Sequence, residues 1–181
     1  VVLNGAKAVG VNADGADMFI VSAREYGDDD AQEGISLFLI PAGSAGVNVQ
    51  AYGLLAGGRA GEVQFENVKV PAAARLGSAG AAFDAIETRI AAASVAQCAE
   101  ALGAMETATH LTKDYLMTRK QFGRPIGTFQ ALAFRMADML IEMEQARSAV
   151  INAAGHLGAA RMERETNVSA TKNLMGRVGR L

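Results

Sequence analysis

The stretch Arg119-Lys120-Gln121-Phe122-Gly123-Arg124-Pro125-Ile126-Gly127-Thr128-Phe129-Gln130 decides how the chain is read, because it closes one helical pattern and opens another. Arg119 and Lys120 complement the negative end of a helix dipole, Gly123 can take a left-handed backbone, and Pro125 blocks continuation of the helix. Thr128 is a suitable N-cap for the helix that follows. The stretch therefore reads as a tight link between two antiparallel helices, with Arg119, Arg124 and several polar groups at one corner. Helix-ending chemistry accounts for Arg119, Lys120, Gly123, Pro125 and Thr128 on local grounds. It does not account for a phenylalanine in the turn followed eight residues later by a glutamine at a helix start. A site for an extended anionic cofactor accounts for both. A guanidinium would bind pyrophosphate through charge-assisted hydrogen bonds of about 1.5–3 kcal/mol each, and the phenyl ring and amide would hold a nucleotide.

Upstream of this corner, one long helix is expected from about Ala81 to Thr118, roughly 55 Å at the helical rise. Its apolar positions include Ile86, Ile90, Ala93, Leu102, Met105, Thr109, Leu111 and Leu116. Downstream, Phe129, Leu132, Met136, Met139, Leu140, Met143, Ala146 and Val150 recur in threes and fours, which predicts a second helix ending near His156-Leu157-Gly158. A third is predicted over Asn167 to Leu181, with Val168, Thr171, Leu174, Met175, Val178 and Leu181 facing inward. The first seventy or so residues have a different period, alternating and turning like a β-domain. Val1 to Leu3, Asn4-Gly5 and Ala8 to Val11 read as a hairpin, since Asn-Gly tolerates positive φ at both turn positions. Asp17 to Ser22, Ile35 to Ile40 and Val47 to Tyr52 read as further strands. Glu62 to Phe65 and Val68 to Val70 read as two more, with Glu66-Asn67 as their turn. Asp28 to Asp30 with Glu33 make an acidic loop, read as a solvated hairpin tip before a calcium site. Pro71 to Gly77 looks like the connector between the halves. Strands followed by helices, not interleaved with them, point to a segregated α+β fold.

Composition narrows the function. The chain has 181 residues, half of them apolar, with interspersed charges summing to a formal net of −2. That gives a real core and no clustered basic face for nucleic acid. The apolar runs are too short and broken for a membrane span. Cys98 is the single cysteine, which suits a reducing cytoplasm, and His110 and His156 have no metal-ligand spacing around them. The N-terminus lacks an initiator methionine and reads as mid-strand, and the C-terminus reads as mid-helix, so the chain is expected to continue in both directions.

The sequence RKQFGRPIGTFQAL, behind AEALGAMETATHLTKDYLMT and ahead of RMADMLIEMEQAR, resembles the acyl-CoA dehydrogenase family. So do VVLNGAKAVGVNADGADMFIVSA, GISLFLIPAGSAGVNV and GEVQFENVKVPAAARLG, in collinear order over essentially the whole chain. The resemblance implies an antiparallel β-barrel or sandwich domain over residues 1–74. A C-terminal up-down helical bundle would follow over 75–181, incomplete at its end. It also implies FAD, contacted at Arg119, Gln121, Phe122 and Gln130 from a neighbouring subunit, hence a homo- or hetero-oligomer. The implied reaction is α,β-dehydrogenation of an acyl-CoA thioester. A carboxylate takes the α-proton while the β-hydrogen leaves as hydride to flavin N5, and an electron-transfer flavoprotein is the implied acceptor.

Three features depart from the family pattern. The stretch Lys7 to Asn12 stands where most members carry a tryptophan and a threonine against the flavin, and this chain has no tryptophan. Ala91, Ala93 and Ser94 fall where the family brings an aspartate, an arginine and in some members a glutamate near the substrate. Glu87 and Arg89 lie one to two turns earlier and read as a solvated helix face. The segment in which many members carry the catalytic glutamate would come after Leu181. Glu100, Glu106, Glu142 and Glu144 match no base position and read as surface glutamates, so the catalytic base is unknown. The leading reading is a bacterial-type dehydrogenase of fatty, steroid side-chain or other unusual acyl groups. The main alternative is a non-catalytic, FAD-sharing subunit of a heteromeric dehydrogenase. A third is an oxidase or monooxygenase on the same fold.

Overall fold

Period-two burial builds the first part of the chain: in the strand Ile35–Pro41, Ser36, Phe38 and Ile40 are buried and their neighbours are not. The computed structural model describes residues 1–180. Six strands lie in the first unit: β1 (Val2–Val11), β2 (Met18–Arg24), β3 (Ile35–Pro41), β4 (Val47–Gly53), β5 (Arg59–Lys69) and β6 (Arg75–Leu76). They form two three-stranded antiparallel sheets, ordered β1-β5-β4 and β2-β3-β6. Leu3, Val63, Phe65 and Val68 from one sheet share a single core with Val21, Phe38 and Ile40 from the other, so the unit is a sandwich.

The expected hairpin at Asn4-Gly5 is absent. β1 runs straight through these residues, and its register against β5 jumps from Leu3↔Val68 to Gly5↔Phe65. Glu66 and Asn67 together face Asn4, a bulge in which Asn67 takes φ +52° and donates its amide to Asn4 Oδ1 at 2.8 Å. The expected turn at Glu66-Asn67 is this same bulge, inside one continuous strand. Asparagine tolerates a left-handed backbone in a bulge as well as in a turn, which is why the signal was ambiguous. A second bulge of opposite sense follows, where Ala8 and Val9 face Glu62. One extra residue in each strand restores the register, and with it the inward side of both strands.

A polar network ties the end of this unit down. Ser36, fully buried, donates its hydroxyl to Glu25 and accepts the Gly80 amide at 2.8 Å. Arg75 grips Glu25 through two bonds of 2.9 and 2.7 Å and lies over the Phe38 ring. The hydroxyl of Ser36 foremost, and then Arg75, hold the Glu25 carboxyl below its usual range. Residues 75–82, grouped with the helical half from the sequence, therefore pack on the sandwich. β6 pairs with β3, and Ala82 donates to the Ile35 carbonyl at 2.8 Å. The two compact units divide after Ile86. The acidic loop is organised by Arg24, which donates to the carbonyls of Asp29, Ala31 and Glu33.

The second unit holds α1 (Phe83–Thr118, from Glu87 onward), α2 (Gln130–Gly155) and α3 (Arg161–Val178), with a short hairpin β7 (Lys120–Gln121) and β8 (Arg124–Pro125) between the first two. Each helix buries a seam stepping by four and three. In α1 it is Ala91, Val95, Cys98, Leu102, half-buried Met105 and Thr109. In α2 it runs from half-buried Met139 through Met143, Ala146, Val150 and Ala153. In α3 it is Arg164, Val168, Thr171, Met175 and Val178. These seams share two clusters, and Glu106 on α1 pairs with Arg147 on α2 at 2.7 Å while Ala91 packs with Ala153, so the two helices are antiparallel. The expected stripes mixed two faces: Ile90, Leu111 and Leu140 are exposed, and so is Ala93. Burial pushes the Cys98 thiol up, as for a cysteine that packs. Among the described residues no helix is long and apolar enough to cross a membrane.

α3 starts six residues before its expected position at Asn167, because its first inward residue is an arginine. Arg164, 7% exposed, donates to Glu87 at 3.2 Å and to Glu165 at 2.9 Å, and Arg161 bonds Glu87 at 2.7 Å. Glu87 is thus the counter-charge of a buried cation, not part of a solvated face; Arg89 is exposed as expected. Leu181, expected to face inward, lies outside the described residues.

Removing Glu87 leaves Arg164 poorly compensated, and Glu87→Ala is expected to lower stability by about 2–3 kcal/mol in urea unfolding. A loss below half a kcal/mol would contradict that role. Because the Glu25 pKa is depressed by folding, its contribution is present above the unfolded value near 4.5 and disappears as pH falls through the lower folded value. The stability gap between the native protein and Glu25→Gln is therefore expected to be widest near neutrality and to close in acid. A gap independent of pH would contradict the network.

Candidate functional site

α1 ends at Thr118, whose hydroxyl bonds back to the Asp114 carbonyl at 2.9 Å, and the next amide, Arg119, still donates to Tyr115. The chain then turns back at once. Ile126 donates to the Arg119 carbonyl, Lys120 pairs with Pro125, and Gln121 pairs with Arg124, leaving Phe122-Gly123 as a two-residue hairpin loop. Both loop residues have positive φ, +53° and +79°, the signature of a type I′ turn. Gly123 adopts the left-handed backbone its identity predicts, but in a hairpin and not at a helix cap.

Phenylalanine is an unfavourable choice for the first position. A bulky L-residue held left-handed costs about 1–2 kcal/mol. Burial does not offset this, because Phe122 is 90% exposed. Its contact within the chain is an edge-to-face approach to Phe129, with ring centroids 6.1 Å apart and an interplanar angle of 88°. Arg124 lies over the same Phe129 ring at 4.3 Å. The corner thus stacks a cation, a half-buried ring and an exposed ring.

Thr128 does not cap α2. Its hydroxyl donates to the Pro125 carbonyl at 2.7 Å and closes a 3₁₀ turn over Ile126–Thr128. Phe129 takes the N-cap position with no side-chain cap, leaving the positive end of a 26-residue helix open beside Gln130 and Arg124. The turn sits hard against α1: a Cβ on Gly127 would lie 3.0 Å from the Leu116 carbonyl oxygen. This close approach brings the start of α2 next to the end of α1.

Of the four residues singled out from the sequence, Arg119, Gln121, Phe122 and Gln130 are all exposed on this one corner. Phe129 was read as part of a core stripe, yet it is the centre of the corner. A signal was available in Arg124 and Phe129 flanking the one proline of the turn, but stacking across five residues is invisible to a helical period.

Elsewhere, Lys7 bridges to Ser22 at 3.0 Å, and Val9, in the stretch matching the family's flavin contact, takes a left-handed φ of +54°. Its amide donates to Glu62, which also accepts the Tyr52 hydroxyl. On α1, Ala91 is 1% exposed and packed with Val95, Ala153 and Val168, while Ser94 is half-buried. Three of the supposed surface glutamates have partners: Glu106 pairs with Arg147 at 2.7 Å, Glu144 with the same arginine at 3.4 Å, and Glu142 with Arg177 at 2.7 Å. Glu142 Oε2 is buried without a hydrogen-bond partner among the described residues, and Glu142 helps line a recess of about 130 Å³ with Met105, Thr109, Met139 and Met143. Glu100 and Glu144 are exposed.

Comparison with known proteins agrees with the fold. Residues 1–68 match the acyl-CoA dehydrogenase middle domain, and residues 80–180 match the acyl-CoA dehydrogenase C-terminal domain. An acyl-CoA dehydrogenase of Bacillus subtilis is 35% identical over 156 residues, covering 84% of this chain and 41% of that protein. A short-chain specific acyl-CoA dehydrogenase of Clostridium acetobutylicum is 35% identical over 157 residues, with 84% and 41% covered. Among solved structures, butyryl-CoA dehydrogenase from Megasphaera elsdenii superposes with a TM-score of 0.84 at 29% identity, covering 98% of this chain and 46% of that one. The FAD complex of PigA gives 0.85 at 29% identity, covering 98% and 47%. The chain spans less than half the length of these relatives. With both of its parts matched in order, the chain belongs to the acyl-CoA dehydrogenase family.

Proposed function

We propose that this chain is the middle and helical part of an FAD-dependent dehydrogenase that desaturates an acyl-CoA thioester. The observation that carries the reading is Phe122, an aromatic ring held exposed in a left-handed backbone at a conformational cost that burial does not offset. The surrounding groups suit a dinucleotide. Arg119 would pair with phosphate oxygens, Gln121 and Gln130 would hydrogen-bond polar edges, and Phe122 would stack on a ring. FAD, when bound, supplies the two-electron acceptor for the hydrogen leaving the β-carbon. As the family resemblance implies, the FAD they contact is that of a neighbouring subunit, in a homo- or hetero-oligomer, and the exposure of all four side chains leaves them open to it. The substrate is an acyl-CoA of the fatty or steroid side-chain kind. Electrons pass to an electron-transfer flavoprotein, and the compartment is the cytoplasm. The domain division we propose remains 1–74 and 75–181, with residues 75–82 as a strap onto the sandwich.

A second reading is favoured by the start of α1. Ala91 is sealed in the bundle, and neither Ala93 nor Ser94 can take a proton from a substrate α-carbon. On this reading the chain lends Arg119, Phe122 and Gln130 to a flavin whose base lies on another subunit.

The visible spectrum of the purified full-length protein separates the two. A flavin band that bleaches anaerobically with an acyl-CoA supports the dehydrogenase, and bleaching only with a co-encoded homologue supports the shared site. Phe122→Ala is expected to loosen FAD about tenfold, from the 1–3 kcal/mol of aromatic–base stacking. Unchanged FAD retention in this variant would sink the assignment of the corner.

A further inference from the structure

We infer that Arg124 is a positioning residue, which acts through Phe129 to set the exposed Phe122 ring and so the hold on FAD; this rests on the cofactor reading above. Arg124 and Gln121 form the closing pair of the hairpin, so Arg124 flanks the two-residue loop that carries Phe122. Its guanidinium carbon lies over the Phe129 ring, 4.3 Å from the centroid, a cation–ring contact that a planar guanidinium makes better than an ammonium. Phe129 in turn meets the Phe122 ring edge-to-face. Phe129 is also the residue from which α2 springs: its carbonyl accepts the amides of Leu132 and Ala133, so its backbone is fixed. The order of dependence follows from burial. Phe129 is half-buried and anchored, Arg124 presses on one side of it, and Phe122 is otherwise free to swing. Without the guanidinium the Phe129 ring gains rotamer freedom, and the Phe122 ring loses the surface that selects its position.

The rival role for Arg124 is a direct contact to a phosphate oxygen. The two differ in coupling: a residue acting through Phe129 is redundant once Phe129 is gone, whereas a direct contact contributes independently. FAD release from diluted full-length holoprotein, followed by flavin fluorescence, reads this without any turnover. Arg124→Gln and Phe129→Leu are each expected to weaken retention about fivefold, with the double variant no weaker than either alone. Phe129→Tyr, which keeps the ring, is expected to retain native affinity, and Arg124→Lys is expected to recover only part of the loss. Multiplying losses in the double variant, full rescue by Arg124→Lys, or no effect of Arg124→Gln would each overturn the positioning role. If Phe122→Ala also leaves retention unchanged, the cofactor reading fails with it. If Phe122→Ala weakens retention and Arg124→Gln does not, only the role of Arg124 falls.

Discussion

The left-handed turn at Phe122-Gly123 is the constraint on which the corner between α1 and α2 depends. A type I′ turn is the shortest way to fold β7 back on β8, and it lets Ile126 bond Arg119 and bring Gly127 against the end of α1. Sequence preference alone would place asparagine or aspartate before Gly123. A phenylalanine there trades about 1–2 kcal/mol of backbone strain for an outward ring at a defined point. Residues around it are consistent with that trade, since Arg124 and Phe129 steady the ring and α2 opens without a side-chain cap.

Below the corner, the bundle is held by three matched seams and by ion pairs that cross between helices. Ala91 and Ala153 are sealed in one cluster and Ala146 in the other, among valine, leucine and methionine side chains. The charged pairs flank these seams: Glu87 with Arg161 and Arg164, Glu106 with Arg147, Glu142 with Arg177. They fix register more than they add stability, because only Arg164 is deeply buried. The Thr171 hydroxyl, donating to the Ala149 carbonyl at 3.1 Å, adds a direct tie between α3 and α2. This scaffold carries the two helix ends that meet at the turn.

Much of this was legible in the sequence. The change from period two to a helical period and the break between two helices after Thr118 follow from local chemistry. What misled was chemistry with two uses. Asn4-Gly5 and Glu66-Asn67 suit a turn or a bulge equally, and the partner strand decides between them. Arg164 hid the start of α3, since a buried cation looks like a solvent residue until Glu87, 77 positions away, is seen beside it. At the corner, Arg119, Gln121, Phe122 and Gln130, named from the family resemblance, all lie exposed. The stack of Arg124 on Phe129 depends on backbone direction through a 3₁₀ turn, which no spacing rule encodes.

On the proposed cofactor reading, Phe122 is strained for the sake of a group outside this chain. Replacing it with asparagine, the favoured residue for that turn position, tests this directly when unfolding and FAD release are measured on the same Phe122→Asn protein. The cofactor-free protein is expected to unfold at the same or higher denaturant, by up to about 1 kcal/mol, while FAD leaves faster. A clear loss of stability with unchanged FAD release would contradict it, and would make Phe122 a structural member of the corner.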